Sequence, residues 1–502
     1  MESRTKGITT LTVLWMLPFF MVAQSSMEHR YVGLQGDDAV MCTDQSNGNS
    51  IICYQNASTS LPCFVYHKHT GSSTNRYQCV ENPNPSGFPY SYKVSDIEII
   101  DEYCYFCGTF ITTTLEAVAE AGNTFIEVRT ETGFVGRFLL SDITNGYNLY
   151  IQFVTIPGTT EFHKLEGFSS GTYNIISLIG TADPNHEVSC LALLKDNGGN
   201  SSKYGLYTMP DDEETLTDVD VWSSYIMTAS KFKHRQYEFG LRADELMDID
   251  NSLVNNTPLP RYMYINTINT SSTNTIPDPR PSNPTEYSNN ADILLSGWYY
   301  NIGYVTVAYD CFGGATDVVC NTDNYHTVLF TIDNTSYEPT QQQDMIVTQA
   351  MLLSRQGGEK SSLIQLMSPD YKSSFLLHRY STSNNEIRNE IQIPSWLTYG
   401  LVDDLTTDCR TLSDMYLDLN RDRVNFVGIE ENNNILHFTQ DVNQLTKSCY
   451  STRPQAYSEE LDLPVSNLDN SPLNHTYGTV QWGNARNISP QTTNYGVECK
   501  TN

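Results

Sequence analysis

Hydrophobic and polar positions alternate with a period of two in short runs, each closed by turn residues. Side chains on a strand point alternately to its two faces, so this pattern predicts strands rather than helices. Residues 412–441 carry it most clearly. Met415, Leu417 and Leu419 alternate with Asp414, Tyr416 and Asp418, and Asn420-Arg421-Asp422-Arg423 breaks the run. Val424, Phe426 and Gly428 resume it, Glu431-Asn432-Asn433-Asn434 breaks it again, and 435–440 follow as a third strand. That is a three-strand antiparallel meander with short polar turns. Residues 96–110 read the same way, as do 361–379, with Ser368-Pro369-Asp370-Tyr371 as the turn. Helical periodicity is nearly absent. Only 113–121, with Leu115, Ala117 and Ala121, suits a short helix.

A strand start of the form Ser/Thr-Asp-apolar-X-apolar recurs. Its clearest copies are Ser95-Asp96-Ile97-Glu98-Ile99, Thr217-Asp218-Val219-Asp220-Val221 and Ser413-Asp414-Met415-Tyr416-Leu417. Weaker copies begin near Lys164, Asp292 and Ala350, and a first unit over 31–90 makes seven. Each unit of about 68 residues has room for four strands and their loops, which is blade size for a propeller. A lone meander cannot bury its apolar face, and stacking neighbours around a ring would solve that. The expected fold is therefore all-β, a β-propeller of about seven four-stranded blades over 25–460, with tandem β-sandwiches as the alternative. Residues 270–290 are expected to form a long surface loop. The polar segment 461–502 either closes the ring or hangs outside it.

The N-terminus changes the picture of compartment. Arg4 and Lys6 precede an apolar run over 8–23, and small residues follow at Ala23, Ser25 and Ser26. This order marks a secretory signal peptide over 1–24, too short and too interrupted by Pro18 for a membrane span. The protein is expected to be secreted, periplasmic or on the cell surface. Composition agrees: the 12 Cys are even in number, and an exported chain keeps disulfides. Sequons stand at Asn56, Asn200, Asn255, Asn269, Asn334, Asn474 and Asn487, and carry glycans only in a eukaryotic secretory pathway. The formal net charge of −29 argues against nucleic acid and anionic membranes as partners.

Register then selects disulfide candidates. Cys42 and Cys53 are symmetric about Asn47-Gly48, a two-residue hairpin turn signal, which would set them directly opposite. Cys63 and Cys79 are symmetric about Gly71, and Cys311 and Cys320 about Ala315-Thr316. Three local staples are expected. The pairing of Cys104, Cys107, Cys190, Cys409, Cys449 and Cys499 stays open.

Tyr103-Cys104-Tyr105-Phe106-Cys107-Gly108, followed by Thr132-Gly133-Phe134-Val135-Gly136-Arg137-Phe138, resembles a recurring blade of secreted β-propeller-like proteins from Bacteroidetes. Thr217-Asp218-Val219-Asp220-Val221 is similar to the start of the next such blade. The resemblance implies a bacterial origin and a propeller, and carries over no functional residue.

Chemistry-bearing patterns are weak. Cys104-X-X-Cys107 lies within a strand with its thiols on opposite faces, which suits neither zinc nor a redox helix. Asp418, Asn420 and Asp422 open like a calcium loop, but Arg423 and Ile429 stand where Gly and Glu are required. Asp211-Asp212-Glu213-Glu214 reads as a solvated loop, and His67 and His69 share a strand face with no third ligand. No nucleophile elbow, P-loop or dinucleotide fingerprint is present. Aromatics such as Trp298-Tyr299-Tyr300 either fill packing between blades or line a binding face. The expectation is a non-catalytic binding or scaffold protein with no cofactor, its ligand a glycan or another surface protein. The alternative is a polysaccharide hydrolase or lyase with carboxylates or Tyr in a central channel.

Overall fold

The computed structural model describes residues 26–68, 74–80, 90–117, 125–183, 188–209, 214–222, 225–232 and 238–259, the strands between 263 and 468, and residues 473–483 and 486–501. Side chains are described chiefly within 31–259, 413–439 and 473–491. The expected leader over 1–24 lies outside the described residues. Among them only two helices occur, Leu140–Asn145 and Leu246–Asn255, and no helix is long and apolar enough to cross a membrane.

The described residues are predominantly β, in six antiparallel sheets. Five are hairpin meanders. The second holds Tyr90–Ile100, Tyr103–Ala117, Phe125–Leu139 and Leu149–Thr155, and the third holds Glu161–Ser169, Asn174–Thr181, Ser189–Asp196 and Ser201–Thr208. Glu214–Trp222, Tyr225–Phe232, Glu238–Glu245 and Met263–Thr267 form the fourth. The fifth is built on Asn290–Tyr299, Ile302–Gly313 and Tyr325–Ile332, the sixth on Ile346–Ser354, Lys360–Met367, Ser374–Ser381 and Ile387–Pro394. In the fifth, the expected loop over 270–290 contributes Arg280–Ser282 and Glu286–Tyr287, both paired with Asn290–Tyr299.

The first sheet has eight strands because it joins two groups. Ser26–Thr43 pairs through residues 36–43 with Ser50–Asn56, which leads to Pro62–His67 and Thr74–Cys79. Through residues 26–31 the same strand pairs with Asn434–Asp441, the last strand of the meander with Thr411–Asp418 and Arg423–Ile429. The final strand, Gln491–Thr501, pairs with Thr74–Cys79 at one end and with residues 26–31 at the other. The first and last described strands thus share one sheet.

The rest of the C-terminal segment runs backwards past the other sheets and adds one outer strand to each. Tyr450–Thr452 pairs with Ile387–Pro394, Ala456–Leu461 with Tyr325–Ile332, and Val465–Leu468 with Met263–Thr267. Asn474–Gln481 then pairs with Ser201–Thr208, and Arg486–Ile488 with Leu149–Thr155. The edge strands begin at Tyr450, inside the segment expected to end at 460.

The opening strands of successive groups lie against one another. Ser26–Thr43 touches Tyr90–Ile100, which touches Glu161–Ser169, then Glu214–Trp222, Arg280–Ser282, Ile346–Ser354 and Thr411–Asp418, which touches Ser26–Thr43. Apolar cores fill the gaps between consecutive described groups. Cys42, Cys53, Phe64, Cys104, Phe106, Phe134 and Phe138 share one core, and Tyr105, Cys107, Val135, Leu165 and Leu178 the next. Tyr31, Met41, Ile52, Val427 and Ile435 fill the core on the other face of the first sheet. A strand such as Asn174–Thr181 is therefore buried at every residue.

Six strands carry a β-bulge at the equivalent place: within residues 37–38, and at Ser95, His163, Thr217, Thr348 and Ser413; in the fifth sheet the register shifts at Asp292, with the extra residue on Ile302–Gly313. A bulge adds a residue and bends the strand. In three sheets the residue before it faces a glycine, in the pairs Val94 with Gly108, Phe162 with Gly180 and Leu412 with Gly428. A Cβ on Gly108 would stand 1.9 Å from the Lys93 carbonyl oxygen, and one on Gly180 1.9 Å from that of Glu161.

Two expectations are corrected. Residues 113–117 continue the strand Tyr103–Ala117 instead of starting a helix. Three β-branched residues, Thr112-Thr113-Thr114, favour extension, and residues 103–117 pair without a break with 125–139. Cys42 and Cys53 do not face each other and are free thiols. Cys42 opposes Ile51, and Cys53 opposes Val40. The Asp44 carboxylate accepts from Ser46 N at 2.9 Å and Ser46 Oγ at 2.6 Å, and Asp44 N donates to Asn49 O at 2.8 Å. Asp44 so holds a loop longer than two residues and moves the register by two. Cys63 and Cys79 are directly paired and joined by a disulfide, with Cα atoms 3.9 Å apart. Cys311 and Cys320 are register partners whose side chains lie outside the described residues.

Gly108→Ala is expected to destabilise by at least about 2–3 kcal/mol, because the clash is with backbone. Gly199, whose Cβ would meet nothing within 4 Å, serves as control. Its alanine variant should stay within about 0.5 kcal/mol of wild type in urea unfolding.

Candidate functional site

Polar groups concentrate on the opening strands, beside the bulges. Asp96 follows the Ser95 bulge and accepts from Ile97 N at 3.0 Å and, across the gap between sheets, from Leu165 N at 2.9 Å. Asp414 follows the Ser413 bulge and accepts from Met41 N at 2.9 Å. Asp218 and Asp38 accept from the next backbone amide, Val219 N at 3.0 Å and Ala39 N at 2.9 Å. The third sheet has Lys164 at this place, with its ammonium 3.7 Å from Asp96 Oδ2. An opening strand has an unpaired edge, and a carboxylate from the neighbouring group satisfies part of it.

Two residues further along, the same strands bring together Glu98, Glu166, Asp220 and Tyr416. The Tyr416 hydroxyl donates to Glu98 Oε1 at 2.8 Å. Burial pushes the Glu98 carboxyl up to about 8, with the charges of Asp96 and Asp414 adding and the Tyr416 bond opposing. Glu166 is held well above the carboxylate range by burial, then by Glu98 and Asp220, with Lys164 opposing. Asp220 is raised by burial and then by Asp218 and Glu98. Its Oδ1 accepts from Val221 N at 2.7 Å, while Oδ2 has no hydrogen-bond partner among the described residues. The Tyr416 hydroxyl is pushed far up by burial and by these carboxyls. In all of these acids burial and the neighbouring carboxyls favour the protonated form, which can donate a hydrogen bond.

A second polar cluster joins the second and third sheets to the C-terminal segment. The Arg137 guanidinium forms a buried ion pair with Asp196. It also donates to Gln152 Oε1 at 2.9 and 3.1 Å and to Gly199 O at 2.6 Å. Asp196 further accepts from Tyr105 at 2.7 Å and from Ser202 at 3.0 Å. Trp482 covers the guanidinium with its ring centroid 4.1 Å away, and its indole N–H donates to Ser202 Oγ at 2.8 Å. Both charged partners are nearly inaccessible and hydrogen-bonded throughout, so the cluster acts as a clasp rather than a reactive site.

The residues singled out in the sequence fall as follows. Cys104 and Cys107 point into different cores. His67 is buried, with Tyr31 hydrogen-bonded to its Nδ1 and the His437 ring 4.0 Å away, centroid to centroid. Asp418 is buried. His69, Asn420, Asp422 and Asp211-Asp212-Glu213 lie outside the described residues, as do the side chains of Trp298 and Tyr299. Among the described residues no group of three or more His, Cys, Asp or Glu is placed to hold a metal ion. Glu98, Asp220 and Tyr416 stand in the repeated strand starts, where alternation identified them only as strand positions. Nothing in the sequence marks Arg137 or Trp482 as partners. No protein-family model matches the chain, and no curated protein matches it.

The Glu98 shift fixes the sign of a pH effect. Between its ordinary value of 4.5 and about 8, the folded protein holds a proton that the unfolded chain has released. Stability must therefore fall as pH rises through that window. Urea midpoints from pH 5 to 8.5 should show the fall, and Glu98→Gln should flatten it and stabilise the protein at pH 8. Arg137→Ala should cost about 3–5 kcal/mol, because Asp196 is left buried without its cation. Urea unfolding at pH 7 measures it.

Proposed function

We propose that the strand groups are seven blades of a β-propeller, and that the protein is an exported binding or scaffold protein whose ligand is a glycan or another surface protein. The observation that carries this reading is the use made of the converging polar groups. Asp96 and Asp414 hold neighbouring opening strands, and Arg137 with Asp196 clasps two sheets and the C-terminal segment. The circuit of opening strands and the cores between groups support the blade arrangement. The outer edges of the groups carry the C-terminal strands, so a ligand is left the turns at the strand ends, where length varies without disturbing the stack. The leader and the Cys63–Cys79 disulfide support export, and the blade motif supports kinship with secreted Bacteroidetes proteins.

The purified mature protein should bind members of a glycan array or a surface-protein panel and release no reducing ends. Affinity for a neutral glycan should change little between about 0.05 and 0.5 M salt, since binding neutralises few charges. A second reading, a polysaccharide hydrolase or lyase, rests on Glu98, Glu166, Asp220 and Tyr416 meeting between opening strands, with protonated acids suited to general-acid work. Turnover abolished by Glu98→Gln in a folded protein would replace the binding reading with that one.

A further inference from the structure

We propose that Glu98, Glu166 and Asp220 form a binding site for the ammonium group of a lysine side chain on a partner protein. The inference rests on the binding reading above and names the chemistry of the ligand. The three carboxyls occupy one position in successive groups: each is the third residue after its strand's bulge, at Ser95, His163 and Thr217. Tyr90–Ile100 touches Glu161–Ser169, which touches Glu214–Trp222, so the three lie at one level. The bond from Leu165 N to Asp96 Oδ2, at 2.9 Å, fixes the first two strands in that alignment. Tyr416, third after the Ser413 bulge, donates to Glu98 Oε1 at 2.8 Å and so orients that carboxyl.

Asp220 is 3 % exposed, its Oδ1 accepts from Val221 N at 2.7 Å, and its Oδ2 has no hydrogen-bond partner among the described residues. A buried acceptor left without a donor is costly, so this oxygen marks where a ligand's donor goes. Glu98, Glu166 and Tyr416 are only half-buried, which leaves the carboxyls open to a group entering from solvent. Three carboxyls match the three donors of an ammonium, and the unbranched lysine stem reaches recessed acceptors. Among the described residues no group of three or more His, Cys, Asp or Glu is placed to hold a metal ion. The other titratable and charged groups facing this level are Asp96, Lys164, Asp218, Asp414 and the Cys42 thiol, and Lys164 lies 3.7 Å from Asp96 Oδ2. Arg280 belongs to a strand that touches Glu214–Trp222, and its side chain lies outside the described residues. The net charge of −29 draws a cationic partner toward the protein. Burial raises Glu98 to about 8 and holds Glu166 and Asp220 well up, so the empty site keeps protons that an ammonium displaces into solvent.

The test is titration calorimetry of the full chain with Nα-acetyl-lysine amide, beside its Nε-acetylated form and glucosamine. The lysine probe should bind and the Nε-acetylated form should not. Binding should tighten as pH rises from 6 to 8, by up to about tenfold per unit for each proton displaced, while lysine stays charged to about 10.4. Glu166→Gln and Asp220→Asn, with wild-type circular dichroism, should each weaken it by about tenfold or more. In wild type alone, a heat of binding that is the same in phosphate and Tris at pH 7 means that no proton is displaced, and overturns the inference. Binding that both variants leave unchanged places the ammonium elsewhere and also overturns it. Glucosamine binding without the lysine probe overturns it in favour of an amino sugar, and the binding reading stands. If an array or panel member binds but neither amine does, the inference fails alone. If nothing binds in any of these assays, the binding reading fails with it.

Discussion

A four-stranded antiparallel sheet that is apolar on both faces cannot exist alone, and the rest of this structure follows from that constraint. Ordinary antiparallel sheets keep one face for water. Here Pro62–His67 and Asn174–Thr181 are buried at every residue. Each group must therefore have a neighbour on both sides, and a linear stack would leave two apolar faces at its ends. The first sheet draws such neighbours from distant parts of the sequence: the meander over 411–441 takes residues 26–31 as its next strand and Tyr495–Thr501 beyond it. Its apolar residues Val427, Ile429 and Ile435 then pack against Tyr31, Met41 and Ile52.

Packing faces together leaves two kinds of strand edge, and each is treated differently. Inner edges are crowded, and the bulges with their Asp residues serve them: one extra residue turns the strand, and the next carboxylate reaches the neighbouring backbone. Outer edges face water and would template pairing with other chains. The returning C-terminal segment occupies them. Its register against the second and third sheets is held by Trp482, whose N donates to Asn200 O at 2.9 Å while its ring lies on Arg137. Buried ion pairs contribute little net stability but are costly to break. Arg137 and Asp196 thus act against wrong placements of the segment more than they add to the right one.

The alternation and the repeated Ser/Thr-Asp starts made the all-β class and the order of units legible. The role of that Asp was not, because its acceptor function involves a strand distant in sequence, Leu165, 69 residues from Asp96, and Met41, 373 residues from Asp414. The Cys42–Cys53 expectation failed on one side chain: Asn47-Gly48 favours a tight turn, and Asp44 supplies a competing set of hydrogen bonds. Residues 113–117 extend because three adjacent threonines outweigh the short apolar spacing that suits a helix. The outer strands were hidden because their sequences are mostly polar. Asn474–Gln481 is exposed or half-exposed at all but Val480, so it lacks the apolar alternation that identifies a core strand.

The charge of the chain divides along the same lines. A net charge of −29 keeps the surface hydrated and repels other copies. The opening strands accept that charge poorly, since Glu98, Glu166 and Asp220 stand close enough to raise one another's affinity for protons. Lys164 is the cation that opposes them, and it is already engaged with Asp96. Holding protons more tightly is how these carboxyls reduce their mutual repulsion. Carboxyls that hold their protons more tightly repel one another less, and this lets the opening strands that carry them approach one another.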